Sequence, residues 1–192
     1  MYKRILITLF LATALIGCSK SKDVKQEVPI IEEKKELQAD KFKINGDELS
    51  FPLTVGDLKE IGYIARYPKH NYIFNEVYTK QLTELRFDRG EKEFIRGFVY
   101  ADEKEGADKA KIKDFVIKKD DNTTLSVDQI KYDTTKEETL NMLNEYDNIK
   151  DIIDEENILK FTVNNTIVEL SFIDDKLYSI KLTDKSLEDI VI

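Results

Sequence analysis

Residues 159–182, LKFTVNNTIVELSFIDDKLYSIKL, alternate apolar and polar side chains in three short runs separated by two polar turns. Alternation with a period of two is typical of strands with one buried face. Asn164-Asn165 and Asp174-Asp175 stand where the alternation stops, and Asn and Asp suit tight turns. The stretch predicts a three-stranded antiparallel meander whose core face carries Leu159, Phe161, Val163, Val168, Leu170, Phe172, Tyr178, Ile180 and Leu182.

A helix is predicted just before this meander. Thr134 and Thr135 each have a glutamate three residues later, at Glu137 and Glu138, which is the spacing of a capping box. The residues that follow form an apolar stripe at helical intervals: Leu140, Leu143 and Tyr146. One face of the meander can pack on this helix. Residues 121–192 are therefore predicted to form a helix plus a three-stranded meander.

Residues 41–120 are predicted to form a similar N-terminal half. Asn45-Gly46 is a strong hairpin signal between two alternating runs. Thr54 has the spacing of a helix cap, and Gly62 suits the end of that helix. Three further strands are predicted at 82–87, 93–100 and 111–119. The expected fold class is α+β with two related halves, each a short helix with an antiparallel sheet.

The first residues of the chain have the pattern of a secretory signal. Lys3 and Arg4 precede an apolar run over residues 5–16. A membrane-spanning helix needs about 20 apolar residues, so this run is too short to span a bilayer. A short apolar run behind a basic start is typical of a cleaved signal peptide, predicted here over residues 1–17.

The sequence Leu-Ile-Gly-Cys at residues 15–18 resembles the lipobox of bacterial lipoproteins. The resemblance implies cleavage between Gly17 and Cys18 and acylation of the Cys18 thiol, with palmitate among the attached chains. Cys18 is the only cysteine in the chain. Lys- and Glu-rich residues 18–40 are predicted to be a flexible tether. The expected location is the extracytoplasmic face of the cell membrane, where the lipid on Cys18 is the membrane contact.

Charge argues against nucleic acid as a partner. Without residues 1–17 the chain carries 28 basic and 38 acidic residues, a formal charge of −10. Binding to nucleic acid depends on Lys and Arg that neutralise phosphates. The same charge argues against lying flat on an anionic membrane, so the domain is expected to stand off from the lipid surface.

No residue pattern predicts a catalytic, metal or cofactor site. His70 is the only histidine, which is too few for a typical zinc site without further cysteines. The acidic runs at 120–122 and 174–175 lack the spacing of a calcium loop and are expected in turns. The glycines are scattered singly, so no phosphate-binding loop is predicted.

One aromatic group is a candidate for partner binding. It lies in the least regular part of the sequence and consists of Tyr63, Tyr67, Tyr72, Phe74 and Tyr78. Tyrosine is favoured at protein interfaces because an apolar ring carries a polar tip. The alternative is that these rings fill the core between the two halves.

Residues 125–182 resemble the small module of the beta-lactamase-inhibitor-like and SmpA-like lipoprotein families. The pattern that carries the resemblance is FIDDKLYSI at residues 172–180, at the end of an antiparallel meander that follows a helical segment. Members act by protein–protein contact. The resemblance therefore implies a protein-binding or scaffold module that contacts another envelope or extracellular protein, and it does not favour an enzyme. Two alternatives stay open: an envelope hydrolase that uses carboxylates, and a lipoprotein that captures a small ligand.

Overall fold

The computed structural model describes residues 35–39, 41–69, 72–77, 80–90, 93–102, 104–119 and 122–190. The strands in these residues are β1 Lys41–Ile44, β2 Asp47–Ser50, β3 Ile64–Arg66, β4 Glu76–Val77, β5 Thr83–Arg89, β6 Glu93–Tyr100, β7 Glu105–Gly106, β8 Lys111–Lys118, β9 Leu125–Ser126, β10 Ile149–Glu155, β11 Ile158–Val163, β12 Thr166–Ile173 and β13 Lys176–Asp184. The α-helices are α1 Val55–Glu60 and α2 Lys136–Leu143. Two short 3-10 helices lie at Ala107–Lys109 and Lys185–Leu187 in the described residues.

The predicted meander is confirmed as β11, β12 and β13, which pair antiparallel in sequence order. Asn164 and Asp174 adopt positive φ in the two turns between these strands. The predicted core face is wrong at one position. The β12–β13 register shifts beside Phe172, so Leu177 and not Tyr178 lies in the core, three residues before Ile180. A bulge of this kind inserts one residue and changes which side chains face inward.

The meander is part of one eight-stranded antiparallel sheet with the order β10-β11-β12-β13-β8-β6-β5-β3. β13 and β8 pair directly, so strands of both predicted halves belong to the same sheet. The expected balance of helix and sheet is therefore wrong: the fold is mostly β, with antiparallel sheets. β10 was not predicted from the sequence, because its residues show no strict alternation of apolar and polar side chains. Six of its seven residues are exposed in the structure.

Both helices begin at the predicted threonines. Thr54 Oγ1 accepts a hydrogen bond from the Asp57 amide, and the Asp57 carboxylate accepts one from the Thr54 amide at 2.7 Å. Thr135 and Glu138 form the same reciprocal pair at α2, with 2.8 Å between Thr135 N and Glu138 Oε2. A capping box satisfies two amides that the helix leaves without partners. These pairs fix where α1 and α2 start.

The apolar core lies on one face of the large sheet. Val55 and Leu58 of α1, Leu143 of α2 and Phe42 of β1 belong to the same buried cluster as the inward side chains of the sheet. The β1–β2 hairpin turns at Asn45-Gly46, as predicted, and β1 also pairs with β9. These elements cover one face of the sheet. The other face, which we call the open face, is covered only in part, where Glu188 and Ile190 of the C-terminal segment line a pocket with Asp114 and Lys181.

The folded part of the chain includes residues that the sequence analysis assigned to the tether. Leu37 and Ala39 are fully buried. The main chain at Lys35 pairs in parallel with Tyr146, and Asp147 N donates to Lys35 O at 3.2 Å. Residues 35–39 therefore belong to the folded unit rather than to a flexible tether.

Candidate functional site

The face of the large sheet opposite the core carries a row of basic side chains, which we call the basic row. Residues paired directly across neighbouring strands point to the same face. Cross-strand pairs join seven strands into one such row. In sheet order, its members are Lys160, Glu169, Lys181, Val116, Arg96, Arg86 and Arg66.

The basic row concentrates positive charge on an acidic protein. Five of its seven members are basic and one is acidic, while the whole chain has a formal charge of −8. Three of the five arginines of the chain stand next to one another on β6, β5 and β3. Every member of the row is partly or fully exposed. Like charges directly opposite on neighbouring strands destabilise a sheet, so this arrangement does not serve strand pairing.

Asp88 binds two of the arginines. Its carboxylate lies 3.3 Å from Arg66 Nε and 2.7 Å from Arg86 Nε, and it accepts a hydrogen bond from an Arg86 terminal nitrogen at 3.0 Å. Arg86 and Arg66 are cross-strand neighbours on β5 and β3. One carboxylate of the chain thus bridges two adjacent guanidinium groups and compensates part of the charge of the basic row.

An exposed isoleucine extends the row at each end. Ile153 of β10 pairs with Lys160 and is 46% exposed, and Ile73 pairs with Arg66 and is 50% exposed. Four of the six large apolar side chains exposed in the described residues lie on this face: Ile64, Ile73, Ile153 and Ile173. Exposed apolar side chains beside arginines are found at surfaces that make macromolecular contacts, where arginine is enriched.

The aromatic group predicted from the sequence has both buried and exposed members. Tyr63 and Phe74 are buried, and Tyr67 packs edge-on against Phe74 with ring centroids 5.5 Å apart. Tyr72 is 72% exposed and adjoins Ile73. Tyr78 lies outside the described residues. Tyr72 is therefore the member of the described group that a partner can reach readily.

The contacts of Tyr63 stabilise the fold. Arg89 lies over its ring, with 4.9 Å between the guanidinium carbon and the ring centroid, and Asn45 Nδ2 donates to its hydroxyl at 3.2 Å. Arg89 also bonds Ile61 O and Asp47. These contacts attach the β1–β2 hairpin and the end of α1 to β5.

Other residues singled out from the sequence lie outside the described residues. These are Gly17 and Cys18, as well as His70, Asp120 and Asp121. Asp174 and Asp175 are turn residues with positive φ. Within the described ranges, no group of three His, Cys, Asp or Glu side chains is arranged to hold a metal ion. No helix there is long and apolar enough to span a membrane.

An open groove of about 810 Å³ lies beside α2, and its carboxylates are engaged in structural bonds. Tyr146 donates to Asp128 at 2.8 Å, and Lys119 pairs with Asp133 at 2.6 Å. Hydrogen bonds from the Thr135 amide and hydroxyl lower the pKa of the Glu138 carboxyl. A general acid needs a raised pKa, so Glu138 does not fit that role.

A smaller pocket of about 370 Å³ contains Asp114, on the open face beside the basic row. Burial raises the pKa of the Asp114 carboxyl, and the charges of Lys181 and Lys113 oppose that rise. Lys181 Nζ lies 3.8 Å from Asp114 Oδ2. Catalysis by paired carboxylates would place a second acid in the pocket. Glu169 is near enough to add to the rise in the pKa of Asp114 but does not line the pocket, and the group paired with Asp114 is the Lys181 ammonium.

Comparisons of the chain with protein-family models, with curated proteins and with solved structures gave no match. Function must therefore be argued from the site alone. The basic row was not predicted from the sequence. The available signal was that two of the five arginines, Arg86 and Arg96, lie in the predicted strands 82–87 and 93–100. Only the pairing order of the strands brings them together.

Proposed function

We propose that the protein is a lipoprotein, anchored through Cys18 on the extracytoplasmic face of the cell membrane, whose folded unit is a protein-binding module. The observation that carries the proposal is the open face of the large sheet, with its basic row and its exposed isoleucines. Arginine and tyrosine are enriched among the residues that contribute most to binding at protein interfaces. The binding surface in this proposal is the open face, and exposed Tyr72 is next to Ile73 in the chain.

We further infer that the two predicted halves are related, although they share one sheet. Each consists of a threonine-capped helix followed by four strands of the large sheet: β3, β5, β6 and β8 after α1, and β10 to β13 after α2. In both halves the threonine that caps the helix pairs with the last strand. Thr54 pairs with Lys111 of β8, and Thr135 pairs with Lys176 of β13. This correspondence supports the resemblance to the beta-lactamase-inhibitor-like and SmpA-like families, whose members act by protein contact.

Site-directed photo-crosslinking in cells tests the binding surface. A photoreactive amino acid replaces Ile73 or Ile153, at opposite ends of the basic row, and in a control it replaces exposed Glu137 on α2. We expect the two row positions to yield an adduct with the same envelope protein and the control to yield none. Adducts from Glu137 alone, or different adducts from the two ends, would show that the open face is not the binding surface.

A further inference from the structure

We propose that the outer edge of β10 binds an extended segment of the partner protein, which joins the large sheet as a further strand. The segment has apolar residues at its centre and Lys or Arg at the end that meets Glu155 and Glu156. This inference rests on the proposed function, because it names the chemistry of the partner at one margin of the open face. The main chain of β10 and its exposed side chains carry it.

β10 is the outermost strand at one end of the large sheet, and it pairs only with β11 among the described strands. Alternate residues of an antiparallel strand direct their N–H and C=O groups away from the paired neighbour. From Lys150 to Asp154, no hydrogen bond from the described residues reaches these outward groups. The Lys136 ammonium binds the carbonyls of Glu155 and Glu156 just beyond. An edge of unpaired main-chain groups is a template for another strand.

The opposite edge of the sheet is closed by the chain itself. Tyr67 N donates to Tyr72 O and Phe74 N donates to Ala65 O, each at 2.9 Å. These bonds place residues 72–74 along β3, on the side away from β5. Proteins commonly cover an edge strand in this way, because an uncovered edge pairs with other chains. β10 is therefore the edge of the large sheet that is left for a partner strand.

The side chains of β10 suit a partner strand with an apolar centre. Ile152 and Ile153 are 48% and 46% exposed, and Ile153 lies on the open face opposite Lys160. A bulge at Asp151, where φ is 54°, bends the start of β10, and pairing with β11 is regular again from Ile153 to Glu155. Cross-strand contacts between aromatic and β-branched side chains stabilise paired strands. An aromatic or β-branched centre of the partner segment would therefore cover both isoleucines.

Charge favours a basic segment over a second copy of this chain. Residues 149–156 carry one lysine and four acidic residues. The two aspartates already pair with lysines of the same chain. The carboxylates of Glu155 and Glu156 are exposed and form no ion pair within the described residues. A second copy of β10 would bring further acids to this edge, whereas a Lys or Arg of the partner meets two carboxylates that no other group engages.

The test uses full-length protein in detergent and a labelled peptide, Lys-Lys-Thr-Val-Phe-Val-Thr-Ser, whose length matches residues 149–156. In an antiparallel arrangement its lysines meet Glu156 and Glu155, and its Val and Phe meet the isoleucines. One control peptide has Glu in place of both lysines. Another has Pro in place of Phe, since Pro cannot donate to a strand ladder. Fluorescence anisotropy measures the affinity, and amide hydrogen exchange shows which strand gains protection.

Variants of the protein test charge and apolar contact separately. The charge variant is Glu155→Gln with Glu156→Gln, and its matched control is Glu60→Gln with Glu137→Gln, two exposed glutamates on α1 and α2. The apolar variant, which keeps residue types that favour strands, is Ile152→Thr with Ile153→Thr. Circular dichroism confirms that each variant folds.

We expect saturable binding and slower amide exchange in residues 150–154 when the peptide is bound. Each cross-strand contact changes affinity about two- to fivefold, so the apolar variant should bind about tenfold more weakly. The charge variant should bind about threefold more weakly, because exposed ion pairs contribute little, and its control should match wild type. The Pro peptide should not bind, and the Glu peptide should bind more weakly than the Lys peptide.

Absence of binding, equal losses in the charge variant and its control, or protection outside β10 would overturn the proposal. Self-association of the wild-type protein that the apolar variant abolishes would also overturn it, because the occupant of the edge would then be a second copy. The cross-links from Ile73 and Ile153 are a separate test of the proposed function. One common adduct there without peptide binding would show that the open face binds a protein but that β10 does not take a basic strand.

Discussion

Asn148 holds the main chain of Leu37 through both groups of its side-chain amide. Leu37 N donates to Asn148 Oδ1 at 2.9 Å, and Asn148 Nδ2 donates to Leu37 O at 2.7 Å. The side-chain amide of Asn148 thus makes the two main-chain hydrogen bonds that a neighbouring strand would otherwise make with Leu37. It fixes the segment 35–39 against the start of β10 and directs the Leu37 side chain into the core.

The stability of fragments tests this attachment. A fragment of residues 41–192 lacks Leu37 and should be less stable than one of residues 33–192 by about 2–4 kcal/mol, because removal of a buried leucine leaves an unfilled core. Urea denaturation of both fragments measures the difference. Leu37→Ala in the longer fragment should lose a similar amount, and Lys35→Ala should lose little. Equal stability of the two fragments would show that residues 35–39 do not support the fold.

The sequence predicts the parts of the fold that depend on local chemistry. The β1–β2 hairpin follows from Asn45-Gly46, and α2 begins at one of the two threonines that the capping pattern allows. The attachment of Leu37 joins residues 111 positions apart, and local periodicity carries no signal for it. The basic row has the same origin. Arg66, Arg86 and Arg96 become neighbours only through strand pairing, so the basic row could not be predicted from the sequence alone.

Asp114 should make stability depend on pH. Burial raises the pKa of its carboxyl in the folded protein above that in the unfolded chain, so its ionisation opposes folding. The contribution of Asp114 to the free energy of unfolding is therefore greatest below the pKa that its carboxyl has in the unfolded chain. It falls as the pH rises through the higher pKa of the folded protein. Asp114→Asn removes that loss. The melting temperature of the variant relative to wild type should therefore be higher at pH about 7 than at pH about 3.

The matched control for this measurement is Asp175→Asn, at an exposed turn position. Its difference from wild type should change less between the two pH values. A variant of Asp114 whose relative melting temperature does not vary with pH would contradict the stated effect of burial.

Ionisation of the Tyr146 hydroxyl should lower the free energy of unfolding at high pH. Burial and the hydrogen bond to Asp128 raise the pKa of its hydroxyl to about 12. Because an unfolded tyrosine ionises near pH 10, the contribution of this group is constant below that pH and is lost between pH 10 and about 12. Tyr146→Phe should remove this part of the alkaline loss. Urea denaturation between pH about 9 and pH about 11 measures it, and an identical alkaline loss in the variant would refute the prediction.

Gly97 lies where β6 passes close to β8, and a side chain there should strain the sheet. A Cβ atom at Gly97 would lie 2.5 Å from Asp114 O and 3.1 Å from Phe115 Cβ. The nearer atom is main chain and cannot rotate away. Gly97→Ala should therefore cost about 1–3 kcal/mol, as overpacking of a core does. Gly106→Ala is the matched control, because nothing lies within 4 Å of its Cβ position. Similar unfolding midpoints in the two variants would contradict a close approach at Gly97.

Cys18→Ala tests the anchor on which the proposed location depends. Loss of the thiol removes the site of acylation, so the variant should take up no labelled palmitate and should leave the membrane fraction. Acyl chains contribute about 0.8 kcal/mol per buried methylene, so two or three chains give an effectively permanent attachment that a polar tether cannot replace. Ser19→Ala is the control and should label and fractionate like wild type. Circular dichroism of the released protein should match that of residues 33–192, because Cys18 lies outside the described fold. Unchanged labelling and retention in Cys18→Ala would rule out the lipid anchor and leave the binding face as a separate question.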